Sequence, residues 1–266
     1  MKLKTSIKYQ LCNHFLLVIV ASLAACLALA VYYISIAINY ANKPINAILV
    51  LDGYDILFVL AMIISAFYYY KKELNFCFQL SNSKTGLFLS KLIVGITTSA
   101  VCSVISALFC FGVNSICKAI INTSGFKIEL RPFFTETMYY MDFHTVYFFG
   151  KPNNTEKILL GILTMLFASF AVYVFCLFIA SLFYRVNLLV KMLIIFVPLT
   201  LVYVGIPIVD MFATNGTLAE SYNNIVYTMY GVTYKSPVIS CMISIGIVIL
   251  FSIGFYIIMK KSQLKK

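Results

Sequence analysis

Cysteine, histidine and the carboxylates are the side chains that could do chemistry in this chain, and their spacing argues against most of it. The eight cysteines (Cys12, Cys26, Cys77, Cys102, Cys110, Cys117, Cys176 and Cys241) form no CxxC pair. Most fall inside apolar runs, so they read as small packing residues and not as a zinc or disulfide framework. The two histidines, His14 and His144, are far apart in sequence, which predicts neither a metal site nor a catalytic base. No G-x-x-x-x-G-K-[ST], H-E-x-x-H or G-x-S-x-G is present, so no nucleotide loop, zinc protease or serine hydrolase is written into the sequence. The expectation is a chain that is not an enzyme and holds no cofactor or metal of its own. Leu23-Ala24-Ala25-Cys26 resembles a lipoprotein cleavage box, but Leu27–Ile38 extends the apolar run by 12 residues, as a retained anchor does.

The elements that must position these residues are membrane helices. Of 266 residues, 62% are hydrophobic and 11% charged, whereas a soluble domain carries roughly 25% charged residues. Six segments approach the roughly 20 apolar residues that a bilayer crossing requires. They are Phe15–Ile38, Tyr54–Tyr70, Leu92–Cys117, Ile158–Phe183, Leu189–Val209 and Pro237–Met259. The predicted fold class is therefore all-α integral membrane, one domain over 1–266. Pro237 suits a first helical turn, and Pro198 and Pro207 are expected to bend the fifth span. Asp52 and Asp55 precede the second span, and a helix starting near Ile45 would lift both toward the outer interface, where a carboxylate is tolerated.

The net charge of +11 reads as topology and not as affinity for nucleic acid. Segments 1–14, 71–91, 184–191 and 260–266 carry 13 of the 20 Lys and Arg residues, and the intervening segments carry 7. Eight of the nine acids, all but Glu73, fall on the second side. The positive-inside rule then predicts that both termini are cytoplasmic, in a multi-pass protein of the cytoplasmic membrane.

Between the spans, Leu3, Ile7, Leu11 and Phe15 recur at four-residue steps and predict an apolar stripe on a helix over 1–14. That segment would lie in the inner interface with its lysines near anionic lipid, or serve as a plain positive-inside anchor. Segment 71–91 flanks the polar turn 81–86 with Leu74, Phe76, Phe78, Leu80, Leu87, Phe88 and Leu89. Hydrophobic anchors around a turn suit docking on a cytoplasmic partner, or an interfacial helix resting on lipid. The outer loop 118–157 is dense in aromatics, among them Phe133, Tyr139 and Tyr140, which are candidates to gate a pathway or meet a substrate. A second outer loop, 210–236, carries several tyrosines. Gly95, Ser99, Cys102, Ser103, Ser106, Ala107 and Cys110 give the third span a small-residue face for close packing in a bundle or dimer.

Six spans, both ends inside, a basic amphipathic start and the segment Glu73–Lys91 together resemble the permease subunits of ABC-2-type exporters. In that family the segment between spans two and three forms a cytoplasmic coupling helix against the ATPase subunit. The resemblance implies coupling contacts at Glu73, Phe76, Phe78, Leu80, Ser81, Lys84 and Leu87, with Lys84 near the position where the family carries arginine. It further implies a second permease chain, identical or related, and separate ATP-binding subunits that hold ATP and Mg. The implied cargo is amphipathic peptides, bacteriocin-like molecules or drugs moved outward. The alternative is a non-transporting membrane sensor or immunity protein. An ion-coupled carrier fits less well, because no charge lies near the middle of a span.

Overall fold

Apolar runs without proline become long helices wherever the backbone must satisfy its own hydrogen bonds. The computed structural model of this chain describes residues 2–40, 48–52, 56–68, 70–79, 83–124, 127–131, 155–184, 237–260 and positions 186, 187, 190, 191 and 221. Six helices run through these residues: α1 (Lys2–Tyr40), α2 (Ile56–Tyr68), α3 (Tyr70–Gln79), α4 (Lys84–Ser124), α5 (Thr155–Phe183) and α6 (Pro237–Lys260). Four of them, α1, α4, α5 and α6, are long and apolar enough to cross a membrane. The chain is a multi-pass membrane protein. The predicted fifth span, its two prolines, the aromatics of 132–154 and nearly all of 210–236 lie outside the described residues.

Three expectations change. The fold is helical but not purely so, because β1 (Ile48–Asp52) pairs in parallel with β2 (Lys127–Arg131), Val50 opposite Glu129 and Asp52 opposite Arg131. Residues 48–52 are therefore extended, and the helix expected to form the second span starts at Ile56 and not near Ile45. The β-branched and leucine-rich run Ile48-Leu-Val-Leu51 favours a strand once a partner strand is available. Segment 1–14, finally, is no separate interfacial helix: α1 is continuous for 39 residues and contains neither glycine nor proline to break it.

The buried face of α1 also differs from the expected stripe. Ser6, Gln10 and His14 are fully buried, and Val18, Ala21 and Ala25 continue the same line. Leu3 is exposed, and Ile7, Leu11 and Phe15 are half-buried. In this first part of α1 the uncharged polar line Ser6, Gln10 and His14 takes the interior, an arrangement open to a helix whose surroundings are not water.

Asn13 meets Glu73 and Tyr9 stacks on Phe76, so α3 descends antiparallel to α1. Phe58 packs on Phe109, and Lys91 reaches Glu73, so α4 returns antiparallel to α2 and α3. α5 and α6 run parallel: Cys241 bonds to Thr164 near their starts, and Phe251 packs on Phe175 and Phe178 further along. The core joins α2, α4, α5 and α6 through Phe58, Met62, Cys102, Tyr173, Leu177 and Phe255. Two glycines let helices close. A Cβ at Gly95 would run into the ring of Tyr173, and one at Gly254 would lie 2.8 Å from Phe178.

Candidate functional site: a buried charge junction

The start of α1, all of α3, the first turns of α4 and the end of α6 gather at one end of the bundle. Contacts there are specific: Tyr70 of α3 donates to Met259 Sδ at 3.4 Å, and Lys84 Nζ donates to the carbonyl of Lys260 at 2.9 Å. Segment 71–91 is thus a helical hairpin built from α3 and the start of α4. Ser83 caps the second limb, its hydroxyl accepting from the Gly86 N–H at 3.0 Å and its carbonyl from Leu87.

Inside this end lies a cluster of ionisable groups with almost no exposed surface. Glu73 and His14 are 0% exposed and Lys91 1%. Lys91 Nζ pairs with Glu73 Oε2, while Glu73 Oε1 faces His14 Nε2 at 3.4 Å and Asn13 Nδ2 at 3.5 Å. One carboxylate therefore ties α3 to both α1 and α4. Burial by itself would push the Glu73 carboxyl up, but the Lys91 ammonium and His14 outweigh it and hold the group below its ordinary value. Lys91 also stands 5.9 Å from the centre of the Tyr70 ring. Tyr173 of α5 meets the His14 ring edge-on at 5.8 Å, and its hydroxyl has no hydrogen-bond partner among the described residues. A turn below, Gln10 Nε2 donates to Ser90 Oγ at 3.0 Å and to Ser6 Oγ at 2.9 Å, fastening α1 to α4.

No family model, no curated protein and no solved structure matches this chain.

The reading of the junction therefore rests on its own geometry. An ion pair taken wholly out of water costs desolvation energy and repays it through fixed geometry and added hydrogen bonds, so it is a device for positioning more than for stability. Ionisable groups inside a membrane bundle mark function by default. Glu73 and His14 supply only two metal-type donors, and among the described residues no third His, Cys, Asp or Glu joins them. The chemistry available is charge pairing and proton binding.

The seven residues expected to make coupling contacts distribute unevenly. Glu73 and Leu87 face inward, Leu87 at 2% exposure. Phe76 is half-buried, its ring 3.9 Å from that of Tyr9, and Lys84 holds the end of α6. Phe78 lies in α3, but its side chain, like Leu80 and Ser81, falls outside what is described, as do Phe133, Tyr139 and Tyr140. Sequence reasoning placed Lys91 at the start of the third span and left His14 and Tyr173 unassigned. The usable signal was Ser6, Gln10 and His14 at four-residue steps, a polar stripe that outranks the apolar one beside it.

Proposed function

We propose that this chain is the membrane-spanning permease subunit of an ATP-driven ABC exporter. It pairs with a second permease chain, sits above separate ATP-binding subunits and moves amphipathic peptides, bacteriocin-like molecules or drugs outward. Both termini lie on the cytoplasmic side of the cytoplasmic membrane, and the chain itself carries no catalytic residue. The observation that carries the reading is the α3–α4 hairpin, a short helical elbow at the lysine-rich end, locked to α1 and α4 through Glu73. Force applied to such an elbow passes into the bundle without being lost in a loose loop. The parallel run of α5 and α6 also supports six crossings, because the chain must return to the far end between Tyr184 and Pro237. The predicted span Leu189–Val209 has the length to make that return.

Purification from native membranes in mild detergent tests the proposal. A P-loop ATPase is expected as a stoichiometric partner, and it is expected to be lost when Phe78→Asp and Leu80→Asp are introduced at the elbow. Recovery of the chain without any ATPase, or an association indifferent to those substitutions, counts against it. The first of those outcomes favours the sensor or immunity alternative.

A further inference from the structure

The outward surfaces of four helical elements change character at the junction end. On α1, exposed Lys4 and Lys8 give way to exposed Leu16, Ile19 and Leu23. Along α2 and α3, exposed Phe67 and Tyr68 of α2 are followed by exposed Lys71 and Lys72 of α3. On α4, Lys84 precedes exposed Leu89 and Ile93, and on α6 exposed Ile253 and Ile257 precede exposed Lys260. The four transitions fall near one level, since Asn13 meets Glu73, Tyr70 meets Met259 and Lys84 meets Lys260. A lysine belt therefore rims an apolar wall. None of its exposed lysines is ion-paired among the described residues, because both carboxylate contacts belong to buried Glu73.

We propose that this belt binds the headgroups of anionic phospholipids, with Lys8, Lys71, Lys72 and Lys260 as the contacting cations. The occupant follows from charge and position. Ammonium groups of one sign, held where an apolar surface ends, meet the plane in which lipid phosphates lie. A zwitterionic lipid balances its own phosphate, whereas phosphatidylglycerol-type lipid brings the net negative charge that the belt lacks. Lys72 precedes Phe76 by one helical turn, and Lys8 adjoins Tyr9, so the Tyr9–Phe76 stack between α1 and α3 adds an amphipathic aromatic surface to the cationic one. The inference stands apart from the export reading, since it needs no ATPase.

The test uses the full chain in neutral detergent, with phosphatidylglycerol, phosphatidylcholine or inorganic phosphate added in turn. Native mass spectrometry counts retained lipid, and thermal unfolding reads its effect. Phosphatidylglycerol is expected to be retained and to raise the unfolding midpoint, the effect shrinking as salt is added. Phosphatidylcholine and free phosphate are expected to do neither. At about five-fold per lysine, replacing all four by Gln weakens retention by roughly 600-fold. The matching Arg variant keeps it, and Lys127→Gln, in β2 at the other end, leaves it unchanged. Equal retention of phosphatidylcholine, no salt dependence, or undiminished retention by the Gln variant overturns the proposal. Absence of lipid preference together with capture of a poly-glutamate peptide overturns it in favour of an acidic protein partner.

Discussion

Glu73 is shared by a lysine and a histidine from two other helices, and that sharing makes it the residue whose removal matters most. Glu73→Gln leaves the Lys91 ammonium buried without a counter-charge, which costs about 3–5 kcal/mol. The expected result is a marked fall in the unfolding midpoint in detergent, largely recovered in the double variant Glu73→Leu with Lys91→Met. A Glu73→Gln chain as stable as the parent would show that the pair ties nothing together. The acid limb supplies a second readout. Because the folded Glu73 carboxyl titrates below its unfolded value of about 4.5, its contribution is complete above that value and disappears as pH falls through the lowered one. Glu73→Gln flattens this limb. Glu73 drew notice in the sequence as the lone acid among the lysine-rich segments, but nothing in its spacing revealed that it faces inward.

At the scale of elements, helices were legible because 3.6-residue helices and apolar length leave strong marks: four of the six expected spans map onto described helices long and apolar enough to cross a membrane, and Tyr54–Tyr70 maps onto the shorter α2. The pairing of β1 with β2 was not, because it joins segments separated by three helices and a sequence carries no local trace of such a partner. The packed face of α1 was not legible either: the sequence drew attention to an apolar stripe over 1–14, and the polar line Ser6, Gln10 and His14 took the interior. Close approach of α4 and α5 rests on Gly95, whose missing side chain admits the Tyr173 ring. Gly95→Val is expected to force the two helices apart and to lower stability by about 1–3 kcal/mol or more through overpacking. Gly246→Ala, on the open side of α6 with nothing within 4 Å, is expected to be neutral or slightly stabilising. Thermal unfolding of the two variants side by side checks the argument, and equal effects would refute it.

Among the described residues, the buried ion pairs lie at one end of the bundle and the strand pairing at the other. α6 completes the elbow end, because Phe255 and Met259 cover Tyr70 and the Lys260 carbonyl receives Lys84. A chain stopped at residue 236 is therefore expected to lose its protease resistance around α3, with cleavage within 70–91 appearing in limited digestion. An unchanged digestion pattern would show that α6 is dispensable there. The parallel arrangement of α5 and α6 has a consequence for synthesis. The residues that seal Tyr70 are among the last described to be made, so throughout translation the growing chain carries an unfinished seam between its first and last thirds. Until α6 enters beside α5, that seam is open to lipid, to a membrane chaperone or to a protease.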